Sequence, residues 1–208
     1  MVLCFAGAWL TAEGERWRLL HVTLGYTMGG LVAFRVLWGL VGTHHARFKS
    51  FVRGPAAVGR YALNLVEGQA EHHVGHNPAG AVAIVGMLLL TAFSAGSGWA
   101  VFNDLGPELL EELHELSGNA LMALVLVHVF GVIVASRLHR ENLVRAMFSG
   151  WKQGPADEGI RRAWRGLAAV MLVAVLGFWA WQWQTAPAGG ATLATEAGNG
   201  HGDEQDDD

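Results

Sequence analysis

Glu108 to Arg140 reads ELLEELHELSGNALMALVLVHVFGVIVASRLHR, and from Gly118 to Ser136 the stretch is almost wholly apolar. Two histidines, His114 and His128, lie fourteen residues apart on it. At 100° per residue, fourteen steps of an α-helix return the second side chain to within about 40° of the first. At 1.5 Å per residue the two sit roughly 21 Å apart along the axis. One helix therefore presents two imidazoles on one face at two depths, which suits two stacked ligand sites. Ionisable side chains inside a membrane helix are costly, so each is a functional candidate.

Working outward, three further apolar runs approach bilayer length: Leu19 to Val41, Ala79 to Phe102 and Gly166 to Trp183. The 208 residues are 52% hydrophobic and only 15% charged, with a net charge of -4. A soluble domain of this size needs no such runs, so the chain reads as an all-α integral membrane protein. The loops orient it. Arg47, Lys49, Arg53 and Arg60 follow the first long run, and seven basic residues lie from Arg137 to Arg165. The loop on the opposite side carries Asp104, Glu108, Glu111, Glu112 and Glu115, with no basic residue in it. Basic loops stay cytoplasmic, which predicts a multi-pass protein of the bacterial inner membrane. The acidic tail, with Glu196, Asp203, Glu204 and Asp206 to Asp208, is then periplasmic.

Val2 to Leu10 is a shorter apolar run, roughly 14 Å as a helix and about half a bilayer core. It lacks the basic residues that begin a signal peptide. Thr11 to Arg18 reads as a short outer loop, so Met1 is expected to begin inside a membrane helix, leaving a truncated first span.

His21 opens the second span, near the outer surface, and His114 opens the fourth, which starts on the same side. The two thus share a depth on parallel helices. A low-spin haem takes an axial imidazole on each face, and facing helices can supply them. Gly25 and Gly118 each follow their histidine by four residues, on the same helix face one turn deeper, where a flat macrocycle needs backbone to come close. The competing reading makes both interfacial histidines bonded to water or headgroups. With no CxxCH motif, any haem is held without covalent attachment. His128 lies deeper, and its bland alternative is a neutral histidine bonded to a neighbouring helix. No partner for it is evident: His44 and His45 lie too deep, His72, His73 and His76 belong to the inner loop, and His139 shares its helix. Arg35, near the inner end of the second span, either snorkels to the surface or meets a propionate or quinone. Asn77 and Pro78 are expected to cap and start the third long helix. Trp38, Trp99, Trp179, Trp181 and Trp183 are expected to form interface belts.

From Ala6 to Gly150 the chain resembles the bacterial cytochrome b561 family, which includes the cytochrome b subunits of nickel–iron hydrogenases. The resemblance lies in LLHVTLGY and FRVLWGLVG, in HNPAGA, and in the spacing of His114 and His128. It implies a four-helix bundle holding two b haems, with ligands from the first, second and fourth helices. On that pattern His21 and His114 bind the outer haem, and His128 supplies one ligand of the inner haem. The family's first helix usually carries an arginine and a haem-binding histidine, and neither is present in this sequence. Only the outer site is therefore complete.

Three domains are expected: a haem-binding bundle over 1–150, a linker with an additional membrane helix over 151–183, and an acidic tail over 184–208. The leading functional reading is a membrane electron carrier between the quinone pool and an outer redox partner, such as a c-type cytochrome or a hydrogenase. The protein then transfers electrons without substrate chemistry of its own. No nucleic-acid partner is expected, and a homodimer is left open. The alternatives are a histidine-based metal transporter and a cofactor-free anchor subunit of a redox complex.

Overall fold

A computed structural model describes residues 1–66, 78–138, 142–150 and 164–185. The described residues form α-helices and short 3-10 turns, with no strand among them. The helices are α1 (Val2–Leu10), α2 (Arg18–Val41), α3 (Phe48–Phe51), α4 (Pro55–Val66), α5 (Pro78–Phe102), α6 (Leu109–Leu138), α7 (Leu143–Ser149) and α8 (Arg165–Thr185). Four of them, α2, α5, α6 and α8, are long and apolar enough to cross a membrane. A bilayer offers backbone groups no partners, so each crossing must close its hydrogen bonds within its own helix.

Successive long helices run antiparallel. The link from α5 to α6 is tight: Asp104 takes a left-handed φ of 54° while the Leu105 amide reaches back to the Ala100 carbonyl at 2.8 Å. Closing a helix with a left-handed residue in this way satisfies carbonyls that would otherwise be left open. Gly106, at φ 109°, completes the reversal. This turn lays α6 back along α5, with Gly86 against Leu124 near one end and Gly98 against His114 near the other. α5 also packs on α2, and α1 packs on α2 in turn. Arg18 lies over the ring of Phe102, 5.6 Å from its centre, which places the start of α2 beside the end of α5.

Small residues make these contacts close, as membrane helices without a hydrophobic drive between them require. A Cβ on Gly29 would lie 3.1 Å from the Ala95 Cβ, and one on Gly7 would lie 2.8 Å from the Leu24 Cδ1. The core is narrow. Leu24, Met28 and Val32, one turn apart along α2, are buried with Ala81 of α5 and Leu121 of α6. Large apolar side chains such as Leu126, Val127 and Phe130 of α6 face outward. α8 buries none of its residues fully. That outward apolar surface is what lipid would cover.

Two expectations change. α6 begins nine residues before the apolar run at Gly118, so Glu111, Glu112 and Glu115 are helical rather than part of a loop. Acidic side chains suit the first turns of a helix, where the backbone dipole is positive. Trp179 is not merely a belt residue: its indole N–H donates to Thr27 Oγ1 at 2.8 Å, fastening α8 to α2. Trp38 likewise stacks on Phe34 and meets Trp164 edge-on. Trp99, Trp181 and Trp183 are exposed. Pro78 starts α5 as expected. Asn77, His72, His73, His76 and His139, and the tail beyond Thr185, lie outside the described residues.

Candidate haem site

α5 packs against both α2 and α6, which contact each other far less. Between α2 and α6, His21 and His114 meet with ring centroids 6.1 Å apart and planes at 85°. Both rings are part-buried. Each is tied by the same atom. His21 Nδ1 lies 2.8 Å from the Ala8 carbonyl of α1, and His114 Nδ1 lies 3.0 Å from the Ser94 carbonyl of α5. A carbonyl only accepts, so Nδ1 carries the proton in both rings. The lone pair of each imidazole is therefore on Nε2.

This donor set fits a haem iron. A neutral imidazole whose Nδ1–H is held by a backbone carbonyl is the usual metal-binding form, with tautomer and ring orientation fixed together. An imidazole nitrogen bonds a transition metal at about 2.0–2.1 Å, which sets the ring centres of two opposed ligands roughly 6 Å apart. The observed 6.1 Å agrees. Gly25 and Gly118 are part-buried, yet a Cβ at either would meet nothing within 4 Å. Open space thus lies beside the backbone one turn below each histidine, where a macrocycle would need it.

Two features of the site were missed in the sequence. Gly98 of α5 lies under the His114 ring: a Cβ there would come within 2.7 Å of its Cε1. Ser97 Oγ lies 3.2 Å from His114 Nδ1, and Ser94 Oγ is 2.7 Å from Ser117 Oγ, which donates to the His114 carbonyl at 2.8 Å. The signal was the polar and small run SAGS, 94–97, in an otherwise apolar span.

The deeper position is different. His128 is part-buried and, among the described residues, makes no hydrogen bond, ion pair or ring contact. His44 and His45 lie edge-to-face with each other, 5.1 Å apart. Arg35 is held between two rings of α3, with its guanidinium carbon 5.1 Å from the centre of Phe48 and 5.9 Å from that of Phe51. Gly39 leaves the room that the Phe48 ring occupies. Arg35 Nη1 is buried with no hydrogen-bond partner. Among the described residues, no group of three or more His, Cys, Asp or Glu side chains could hold a metal ion.

An antiparallel bundle of membrane-length helices that brings two imidazoles together has the form of a membrane cytochrome. The chain belongs to the prokaryotic cytochrome b561 family, whose model matches residues 1–150. A relative from Bradyrhizobium diazoefficiens, described as a probable Ni/Fe-hydrogenase B-type cytochrome subunit, is 25% identical over 164 residues, covering 65% of this chain and 66% of the relative. One from Azotobacter vinelandii with the same description is 26% identical over 168 residues, covering 67% and 70%. The chain thus spans about two thirds of the length of these curated relatives. No solved structure matches it.

Proposed function

We propose that the protein is a transmembrane electron carrier that binds haem b between α2 and α6, with His21 and His114 as axial ligands. The observation that carries this reading is the facing pair itself: two imidazoles 6.1 Å apart, each tied through Nδ1 to a carbonyl of a different helix. When bound, haem b supplies a one-electron couple whose potential depends on its ligands, their hydrogen bonds and the surrounding dielectric. The chain's own residues hold the two imidazoles in one tautomer and bring glycine backbone alongside.

On the family's pattern, His128 is proposed as one ligand of an inner haem, roughly 20 Å from the first by helical rise. That separation divides a bilayer into two shorter steps. Arg35, with an unpartnered Nη1 near the inner end of α2, fits an acidic propionate or a quinone oxygen there. The quinone pool is the proposed inner partner. The relatives' description as hydrogenase subunits favours a hydrogenase at the outer face, with a c-type cytochrome as the other candidate. The acidic first turns of α6 give that face the charge to attract a basic partner. Residues 1–150 are proposed as the haem-binding bundle in the inner membrane, with basic loops cytoplasmic, α8 as an added helix and the tail periplasmic.

A spectrum of the protein purified in detergent tests the reading. Reduced protein should show the α and Soret bands of a b-type cytochrome. A colourless preparation that takes up zinc would instead support a transporter, and one that binds neither would support an anchor.

A further inference from the structure

The two histidines are not held alike. His21 has one acceptor at Nδ1, the Ala8 carbonyl at 2.8 Å. His114 has two groups there, the Ser94 carbonyl at 3.0 Å and Ser97 Oγ at 3.2 Å. Ser97 is 5% exposed, on the α5 face that meets α6. Its own hydroxyl hydrogen is directed at the Ser94 carbonyl, 3.3 Å away. Its lone pairs are then available to the Nδ1–H of His114. Ser117 spends its hydrogen on the His114 carbonyl, so the Ser94 hydroxyl donates to Ser117 and leaves Nδ1 to the carbonyl and Ser97.

We propose that Ser97 is a positioning residue that shares the Nδ1–H of His114 with the Ser94 carbonyl and so sets the electron density of that ligand. The inference rests on His21 and His114 being the haem ligands. An acceptor on Nδ1–H makes an imidazole a stronger donor to its metal. A stronger donor favours ferric over ferrous iron and lowers the potential. The His114 side of the haem is thereby tuned from α5 by a side chain, while the His21 side depends on backbone alone.

The test uses the full chain purified from membranes in detergent, as wild type, Ser97→Ala and Ser97→Thr. Haem content and spectrum are measured first, then the midpoint potential by redox titration. Ser97→Ala should keep its haem with a raised midpoint. Ser97→Thr, which restores the hydroxyl, should return toward wild type. If Ser97→Ala loses haem while Ser97→Thr keeps it, the hydroxyl holds the ring, which is the same role. An unchanged midpoint in a fully loaded Ser97→Ala, or loss of haem from both Ser97 variants, overturns the proposal. Haem retained at this site after His114→Ala overturns the ligand assignment instead, and that result is distinct from either.

Discussion

His114 and His128 occupy the same helix, nearly the same face and similarly part-buried positions, yet the structure equips them differently. His114 has a facing imidazole, a carbonyl and a hydroxyl at Nδ1, and a glycine beneath its ring. His128 has no such partner among the described residues. The difference teaches that a histidine's place in the sequence does not by itself prepare it for a metal; what holds its other nitrogen does. An imidazole free to turn loses rotamer entropy on binding and must choose a tautomer, and its affinity falls accordingly. His114 has made both choices before any metal arrives.

The largest effect should follow removal of a facing histidine. His21→Ala or His114→Ala should eliminate the outer haem, read as loss of its share of the pyridine haemochrome signal. Full haem content in either variant would break the comparison at its stronger end. His128→Ala should leave the outer haem and its midpoint intact. If a second haem is bound, the same measurement should show total haem falling by half.

The glycines separate the chain's needs from the cofactor's. Gly98→Ala puts a methyl within 2.7 Å of the His114 ring, so the ring must shift and haem occupancy should fall several-fold. Gly25→Ala and Gly118→Ala meet open space. In the haem-free protein each should be neutral, or stabilising by about 0.5–1 kcal/mol through helix propensity. Only on haem binding should these two show a cost, read as weaker retention during purification. Equal haem affinity in all three variants would remove the macrocycle from the space beside Gly25 and Gly118.

Hydropathy made the long spans legible because each must satisfy its backbone alone and so reads as a continuous apolar run. The depth match of His21 and His114 was legible too, since spans that start on one side share an origin. What could not be read was every contact that crosses helices. Ala8 offers a backbone carbonyl, which no side-chain pattern announces. Ser97 and Gly98 lie sixteen or more residues before His114, and only the reversal at Asp104 and Gly106 brings them under its ring. The start of α6 was misplaced because its first two turns are acidic, and helix formation there does not follow hydropathy.

α8 gives the smallest expected effect and tests where the site ends. Trp179 donates to Thr27 Oγ1, which itself donates to the Thr23 carbonyl at 2.7 Å, so the hydroxyl is used twice and both threonines are buried. Thr27 lies six residues beyond His21 on α2, about 9 Å along the axis. Replacing Trp179 with Phe removes one hydrogen bond and some area, which should cost about 0.5–1.5 kcal/mol of stability, read as a lower denaturation midpoint in detergent. The outer haem should keep its spectrum and potential, because His21 is anchored by α1 and not by α8. A shifted potential in Trp179→Phe would show that α2 transmits the α8 contact to His21. The extra helix would then belong to the redox site, and the boundary at residue 150 would not separate cofactor binding from the remainder of the chain.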